Sequence, residues 1–392
     1  MIYPQRFSNL PEYAFPRLRA LLDGHAPGGN VVHMSIGEPR HPMPPFLGAV
    51  LQDNLQGFAK YPVNEGTPPL LEAIAAWVQR RYGVSLGPER LMALNGTREG
   101  LFNLALALCP EEKRGAQPVV LTPNPFYQVY AVAALATGAE PQFIPATEAT
   151  GNLPDYTALD PALLDRVALA YVCSPANPQG AVASRAYWSA LLALAEKHDF
   201  RIIADECYSE IWRDTPPPGL LEAAAETGTD PERVLVVHSL SKRSNLPGLR
   251  SGFIAGGPES IRRIRQLRNY AGAPLPEPLQ AVAAAVWADE PHVTENRALY
   301  QQKYRIADQV LAGVPGYMGP PAGFFLWLPV ADGEAAALKL WRETGVRVLP
   351  GAYLSRDTAT GNPGAGHIRV AMVAGADEFR DGLTRLRACL YS

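Results

Sequence analysis

One turn of the chain brings an amine, two hydroxyls and a guanidinium close together. The apolar segment Val234–His238 is followed directly by Ser239, Ser241 and Lys242, and Arg250 comes eight residues after the lysine. A lysine in a partly desolvated crevice can act as the amine of a Schiff base. Serine hydroxyls and an arginine at fixed offsets suit a phosphate group. Taken alone, a lysine after a strand is more often a solvated surface charge.

Two further segments carry side chains that suit an aromatic ring used as an electron sink. Asp205 ends the apolar run that starts at Arg201, and Tyr208 follows three residues later. A carboxylate keeps a pyridine nitrogen protonated, and a tyrosine can hydrogen-bond a phenolic oxygen on the ring. Asn177, held in a turn before Pro178, can donate to the same oxygen. On its own, Asp205 would more often cap a helix.

Two more segments could hold a phosphate and a planar ring. Gly96, Thr97 and Arg98 open a helix, where backbone N–H groups form an anion site and glycine allows a close approach. Tyr127 follows another strand and could stack on a ring. An ordinary capped helix and core packing are the alternatives. Because open α/β sheets bind ligands at the carboxyl ends of their strands, five such segments in order favour one binding site.

The elements that must position these residues alternate between short β-rich runs and longer helical runs, which is typical of an α/β protein with a mostly parallel sheet. The predicted strands are Pro118–Thr122, Glu140–Ile144, Val167–Val172, Arg201–Ala204, Val234–His238 and Ser251–Ala255. The predicted helices are Pro69–Tyr82, Arg98–Cys109, Tyr127–Ala136, Arg185–His198, Pro258–Tyr270 and Glu277–Leu311. A small α+β unit follows, with segments Gly323–Pro329, Glu334–Glu343 (a helix), Arg347–Pro350, His367–Met372 and a last helix from Asp377.

The domain organisation follows from this order of elements. No internal repeat or long polar linker separates the parts. We expect a large domain over residues 36–284. We expect a discontinuous small domain built from residues 1–35 and 285–392.

Composition excludes several classes of protein. The 392 residues include 35 Lys+Arg and 38 Asp+Glu, a formal net charge of −3, which gives no support to a nucleic-acid or polybasic membrane partner. The most apolar stretches are shorter than the ~20 residues that span a bilayer, and the start lacks a secretory signal. The four cysteines lie far apart and no histidine pair has metal-ligand spacing. We expect a cytoplasmic protein with reduced thiols and no bound metal.

These motifs, in this order, resemble those of class I/II aminotransferases of fold type I, which depend on pyridoxal 5′-phosphate. The resemblance covers essentially the whole chain and implies a large domain around a mostly parallel sheet with a smaller α+β domain. Some segments are most similar to N-succinyldiaminopimelate aminotransferases: Ser35–Pro42, Asn95–Glu99, Pro123–Tyr130, Ser239–Phe253 and Asn362–Gly366. At Asn245–Leu249 the chain departs from the Met-Thr-Gly-Trp of many relatives.

The resemblance implies a role for each residue around the cofactor. Lys242 binds the cofactor covalently and moves the substrate proton, and Asp205 pairs with the pyridinium nitrogen. Tyr208 and Asn177 hydrogen-bond the phenolic oxygen, and Tyr127 stacks on the ring. The implied catalytic residues are Lys242, Asp205 and Tyr208. The residues implied to hold the phosphate are Gly96, Thr97, Arg98, Ser239, Ser241, Arg250 and, from the neighbouring subunit, Tyr61, so that a homodimer with composite sites is expected.

The same resemblance implies how the substrate is bound. Arg369 matches the arginine that holds the substrate α-carboxylate in a bidentate pair, and Gly37 and Asn177 lie where they assist it. For a distal carboxylate we expect Arg98, with Arg40 as a second candidate. Both arginines could equally be ordinary helix-start or loop charges.

The expected reaction is transfer of an amino group between glutamate and N-succinyl-2-amino-6-oxopimelate, in the lysine and diaminopimelate route. A broader aminotransferase acting on aspartate, alanine or aromatic amino acids would share every cofactor residue. A pyridoxal-phosphate C–S lyase of the same fold is a further alternative. A regulatory cofactor-binding domain is disfavoured, because no DNA-binding extension or basic patch accompanies the core.

Overall fold

The computed structural model describes residues 3–8, 10 and 12–392. Its strands are β1 (Val32–His33), β2 (Leu91–Leu94), β3 (Val119–Asn124), β4 (Glu140–Pro145), β5 (Val167–Cys173), β6 (Arg201–Asp205), β7 (Val234–Ser239), β8 (Gly252–Gly256), β9 (Phe325–Pro329), β10 (Val346–Arg347), β11 (Leu349–Pro350) and β12 (His367–Ala371). Its α-helices are α1 (Ala14–Leu22), α2 (Leu47–Asp53), α3 (Pro68–Tyr82), α4 (Thr97–Leu108), α5 (Val129–Thr137), α6 (Pro161–Leu164), α7 (Arg185–His198), α8 (Leu220–Thr227), α9 (Leu240–Arg243), α10 (Pro258–Arg268), α11 (Glu277–Ala288), α12 (Pro291–Val310), α13 (Gly333–Thr344) and α14 (Ala376–Leu390).

A seven-stranded sheet in the order β2-β8-β7-β6-β5-β3-β4 forms the centre of the larger part. Strand β8 is antiparallel to both of its neighbours, and the other pairs are parallel. Every residue of β3, β5 and β7 is buried, because helices cover both faces of the sheet. The predicted α/β fold with a mostly parallel sheet is confirmed.

The helices place their apolar stripes on the two faces of this sheet. Helices α3, α7, α8 and α11 pack on one face, where Trp77, Trp188 and Trp287 are buried. Helices α4, α5 and α10 pack on the other face. Helix α3 shows the local reasons for its bounds: Pro68 starts it without needing an N–H partner, and Gly83 ends it with φ of 69°.

The smaller part combines two short sheets with helices α12, α13 and α14. Strands β11, β12 and β9 form an antiparallel sheet, and β1 pairs in parallel with β10. Since β1 comes from the N-terminal segment, this part is discontinuous in sequence. The expected boundary at residues 284/285 falls inside α11, whose Val286 and Trp287 pack in the larger core. We therefore propose that the smaller domain begins after α11, near Asp289.

Several elements, among them α1, α2, α8 and β1, were not predicted, and three further differences concern predicted or neighbouring segments. Strand β2 was not predicted, because a four-residue apolar run has too little periodicity to separate strand from helix. The single predicted helix Glu277–Leu311 is two helices, since Pro291 opens a new one. The predicted segment Arg347–Pro350 divides between two sheets. Within the described residues, no helix combines the length and apolar character needed to cross a membrane.

Candidate active site

A cavity of about 410 Å³ lies where the larger sheet, the smaller sheet and the N-terminal segment meet. We call its wall at the strand ends of the larger sheet the cavity floor, represented by Asp205, Ser239 and Lys242. We call its wall on β9 and β12, represented by Phe325 and Arg369, the cavity roof. The predicted site residues in the wall are Gly37, Thr97, Arg98, Tyr127, Asn177, Asp205, Tyr208, Ser239, Ser241, Lys242, Arg250 and Arg369.

Lys242 lies at the end of the short helix α9, directly after the central strand β7. Its Nζ donates to the carbonyl oxygen of Gly37 at 2.5 Å and lies 5.3 Å from the centre of the Phe324 ring. Burial lowers the pKa of Lys242 from its ordinary 10.5 to about 8. An amine with this pKa is unprotonated more often near neutral pH, which suits a base.

Asp205 ends β6 with its carboxylate inside the cavity floor. Its Oδ2 accepts a hydrogen bond from the hydroxyl of Tyr130 at 2.8 Å, and its Oδ1 accepts the N–H of Cys207 at 3.4 Å. Burial raises the pKa of this carboxyl, and the Tyr130 hydrogen bond opposes that rise. A cationic ring nitrogen beside Asp205 would offset the cost of burying its charge. Burial also raises the pKa of Tyr208 well above its ordinary value, so that its hydroxyl remains a hydrogen-bond donor.

A group of hydroxyls surrounds the start of α4. The Oγ atoms of Ser239 and Ser241 lie 2.9 Å apart, and Thr97 begins the helix. Gly96 has φ of 81°, and a Cβ there would overlap the guanidinium of Arg250. This combination of hydroxyls, helix N–H groups, a guanidinium and a glycine fits a phosphate group.

Arg369 is 4% exposed and stands over the ring of Phe325, with its guanidinium carbon 4.2 Å from the ring centre. Its Nη1 donates to Oδ1 of Asn177 at 3.0 Å and its Nη2 to the carbonyl of Ser35 at 2.8 Å. Within the described chain its buried Nε has no hydrogen-bond partner. Burial lowers the pKa of Arg369 to about 10. A carboxylate at this place would accept a hydrogen bond from the Nε–H of Arg369 and would offset the buried charge of its guanidinium.

Arg98 and Tyr127 form a second polar pair in the lining of the same cavity. Nε of Arg98 donates to the hydroxyl of Tyr127 at 2.6 Å. This hydrogen bond raises the pKa of Arg98, which is exposed and fully charged. The pair can therefore bind an anionic group that enters from solvent.

Three predicted residues lie outside the cavity wall. Gly96 lies against Arg250, next to the wall rather than in it. Tyr61 is 100% exposed, as a residue that reaches another subunit would be. Arg40 is exposed and does not line the cavity.

Sequence reasoning missed several wall residues. Tyr130 stands three residues after Tyr127, and Cys207 lies between Asp205 and Tyr208, so the predicted motifs contained both without giving them a role. Glu38 lies in the similar segment Ser35–Pro42 but was given no role, and no local pattern marked Tyr13.

The fold and this set of residues define an aminotransferase. A sequence model of the family described as "Aminotransferase class I and II" matches residues 29–381, and the chain belongs to that family. Its members depend on pyridoxal 5′-phosphate. The cluster of hydroxyls at the start of α4 fits the phosphate of that cofactor, and Asp205 and Lys242 fit its ring nitrogen and its aldehyde.

The named relatives agree on the reaction and differ in the substrate. The chain is 31% identical over 395 residues to the LL-diaminopimelate aminotransferase of Dehalococcoides mccartyi, with 97% of each protein covered. It is similar to the solved structure of an aminotransferase from Neisseria meningitidis, with 37% identity, a TM-score of 0.93 and coverage of 98% and 99%. It is also similar to a probable N-succinyldiaminopimelate aminotransferase from Thermus thermophilus, with 28% identity, a TM-score of 0.83 and coverage of 96% and 100%. The predicted aminotransferase class is confirmed, and the succinylated substrate stays a prediction.

Proposed function

We propose that Lys242 is the attachment point for the cofactor and the base that moves the substrate proton. Pyridoxal 5′-phosphate, when bound, supplies the electron sink for cleavage at the substrate Cα. Lys242 takes the proton from that carbon through Nζ, whose pKa of about 8 allows it to act near neutral pH. The carbonyl oxygen of Gly37 orients this amine.

The other residues of the cavity wall bind and orient the cofactor and the substrate. Asp205, supported by Tyr130, holds a protonated ring nitrogen, and Tyr208 and Asn177 donate to the ring oxygen. Tyr127 packs on the ring. The phosphate is held by Thr97, Ser239, Ser241 and Arg250, with the N–H groups that follow Gly96. Arg369 holds the substrate α-carboxylate in a buried, planar pair.

The substrate we propose has a second carboxylate, as glutamate and N-succinyl-2-amino-6-oxopimelate both do. The observation that carries this proposal is the exposed Arg98 guanidinium in the lining of the same cavity as the buried Arg369. A fixed arginine for the α-carboxylate and an accessible one for the distal acid allow one site to serve both the amino donor and the oxo-acid acceptor. The name of the Thermus thermophilus structure supports the succinylated substrate.

A second candidate substrate is LL-diaminopimelate itself, exchanged with 2-oxoglutarate. The name of the Dehalococcoides mccartyi relative favours it. So does Glu38, a carboxylate in the cavity wall that could pair with a free distal ammonium. Acylation removes that ammonium, so Glu38 favours the free diamine over the succinylated one.

A homodimer in the cytoplasm is also part of the proposal. The fully exposed Tyr61 would complete the phosphate site of a second copy. All four cysteines are free, which suits a reducing compartment.

A substrate panel tests the proposal. With the purified enzyme, kcat/KM for glutamate and N-succinyl-2-amino-6-oxopimelate is compared with that for LL-diaminopimelate and 2-oxoglutarate, and with pyruvate and oxaloacetate as acceptors. We expect the succinylated pair to be fastest. Turnover no better than with pyruvate or oxaloacetate would reject both specific substrates.

Two variants test the distal contact. Arg98→Met should lower kcat/KM for glutamate about tenfold, the value of one hydrogen-bonded charge pair, and leave alanine turnover unchanged because alanine has no distal acid. Arg40→Met is the matched control and should behave as wild type. The reverse ranking would assign the distal carboxylate to Arg40.

A further inference from the structure

A chain of polar groups joins helix α12 to the turn that carries Lys242. Lys303 is 2% exposed, and its Nζ contacts Nε2 of His41 at 2.7 Å and donates to the carbonyl of Met372 at 2.9 Å. The other ring nitrogen of His41 lies 2.7 Å from Oδ1 of Asn296. Asn296 and Lys303 are seven residues apart on α12 and so share one face of that helix.

The direction of these hydrogen bonds follows from Asn296. Its Nδ2 donates to the carbonyls of Lys242 at 3.4 Å and Arg243 at 3.2 Å. Its Oδ1 is therefore an acceptor, which Asn245 also uses at 3.1 Å. His41 must then carry its proton on Nδ1 and accept from Lys303 at Nε2. The donors run in one direction, from Lys303 through His41 and Asn296 to the backbone of Lys242.

The same chain of polar groups supports the segment whose carbonyl groups accept hydrogen bonds from Lys242 and Arg369. His41 belongs to residues 35–42. In that segment the carbonyl of Gly37 accepts a hydrogen bond from Nζ of Lys242 at 2.5 Å, and the carbonyl of Ser35 accepts one from Nη2 of Arg369 at 2.8 Å. The carbonyl that Lys303 holds belongs to Met372, three residues after Arg369. Lys303 thus fixes residues 35–42 against the strand that carries the substrate arginine.

No ion pair within the described chain compensates the charge of Lys303. In the described chain the charged groups that face Lys303 are Arg40 and Glu378, and neither forms an ion pair with it. Burial lowers the pKa of Lys303 to about 7, and burial with Lys303 lowers that of His41 to about 4. An apolar side chain of similar length would avoid the cost of burying an amine, but it would leave Nε2 of His41 and the carbonyl of Met372 without the donor that joins them.

We propose that Lys303, His41 and Asn296 are positioning residues that set the amine of Lys242 and the guanidinium of Arg369 at their working separation. The inference rests on the roles proposed above for those two residues. It does not depend on which amino donor the enzyme uses.

The test uses the holoenzyme of Lys303→Met, His41→Leu and His41→Gln, with Lys339→Met on the exposed side of α13 as the control. We expect kcat to fall by about 10–100-fold in Lys303→Met and His41→Leu, since misplaced reacting groups cost that much. Glutamine keeps one donor and one acceptor, so His41→Gln should recover part of the loss. The pH titration of the bound cofactor's visible absorbance should shift in the impaired variants and should match that of wild type in Lys339→Met.

Two results would overturn the inference. One is a Lys303→Met enzyme with the kcat and absorbance titration of wild type. The other is a loss of kcat that follows a lower melting temperature with an unchanged titration, which would mean a structural role alone. The variant Lys242→Ala tests separately the role of Lys242 on which the inference rests. If the visible absorbance of this variant persisted, the proposed role of Lys242 would fail, and this inference would fail with it.

Discussion

The floor and the roof of the cavity satisfy their polar groups in different ways. In the floor, Asp205 accepts hydrogen bonds from Tyr130 and from a backbone N–H, and Ser239 bonds to Ser241. In the roof, Arg369 keeps one buried donor without a partner in the described chain. The carboxylate of the floor thus has hydrogen-bond partners within the chain, whereas a buried donor of the roof has none among the described residues, and we propose that a substrate carboxylate accepts it.

This difference follows from where each wall is built. The floor is the common edge of parallel strands in one sheet, and its side chains are fixed by that sheet. The roof belongs to the smaller sheet and reaches the floor through the contact of Arg369 with Asn177. We infer that the floor recognises the cofactor, which stays bound, and the roof recognises the substrate, which must enter and leave.

The largest expected effect is a loss of kcat/KM when Arg369 of the roof is changed. Arg369→Lys keeps the charge and removes the planar fork, so kcat/KM for glutamate should fall by about 10²-fold. Steady-state kinetics measure it, and cofactor affinity should stay unchanged. Arg380→Lys on the exposed face of α14 is the control. Equal kinetics in the two variants would contradict the assignment of Arg369.

A smaller effect is expected in the floor. Tyr130→Phe removes the hydroxyl that supports Asp205, and the pKa of Asp205 should rise further because this hydrogen bond opposes the rise. The affinity for pyridoxal 5′-phosphate should fall about tenfold, measured by equilibrium titration of absorbance.

Tyr156→Phe is the matched control for Tyr130→Phe. Its hydroxyl is also buried and donates to the carbonyl of Tyr171, away from the cavity wall. This variant should lose stability and keep cofactor affinity. The comparison of floor and roof would be wrong if the Tyr130 variant bound cofactor normally and showed a raised KM for glutamate.

The smallest effect concerns the pH dependence that the amine of Lys242, in the floor, gives to stability. The pKa of Lys242 is lowered from 10.5 to about 8, so between these pH values the unfolded chain binds more protons than the folded one. The free energy of unfolding therefore gains a contribution that rises with pH across this window. In cofactor-free protein, Lys242→Met should show a shallower rise of melting temperature with pH than wild type. Lys339→Met should keep the wild-type slope, and identical slopes in all three proteins would contradict the burial of this amine.

Much of the floor could be predicted from local sequence. Apolar runs ending at Asp205 and Ser239 predict strands followed by polar side chains, and such strand ends converge on one edge of a parallel sheet. The division of Glu277–Leu311 at Pro291 was also present in the sequence. It was missed because the helical periodicity continues on both sides of that proline.

The contacts that complete the site join residues that are distant in sequence. Tyr130 and Asp205 are 75 residues apart, Asn177 and Arg369 are 192 apart, and Ser35 and Arg369 are 334 apart. Periodicity and turn chemistry act over a few residues, so they indicate which groups are available and not which of them meet. The roles of Tyr130 and Lys303 had no local signal for this reason.

The sequence by itself determined the reactive groups at the strand ends and most of the elements that carry them, because these depend on short-range patterns and on residue type. The order of its motifs carried the resemblance that implied the class of protein. The tertiary structure decided which arginine lines the cavity, which carboxylate is supported by a tyrosine, and which lysine is buried without an ion-pair partner. These properties depend on burial and on distances between remote segments, which exist only once the two sheets pack around the cavity.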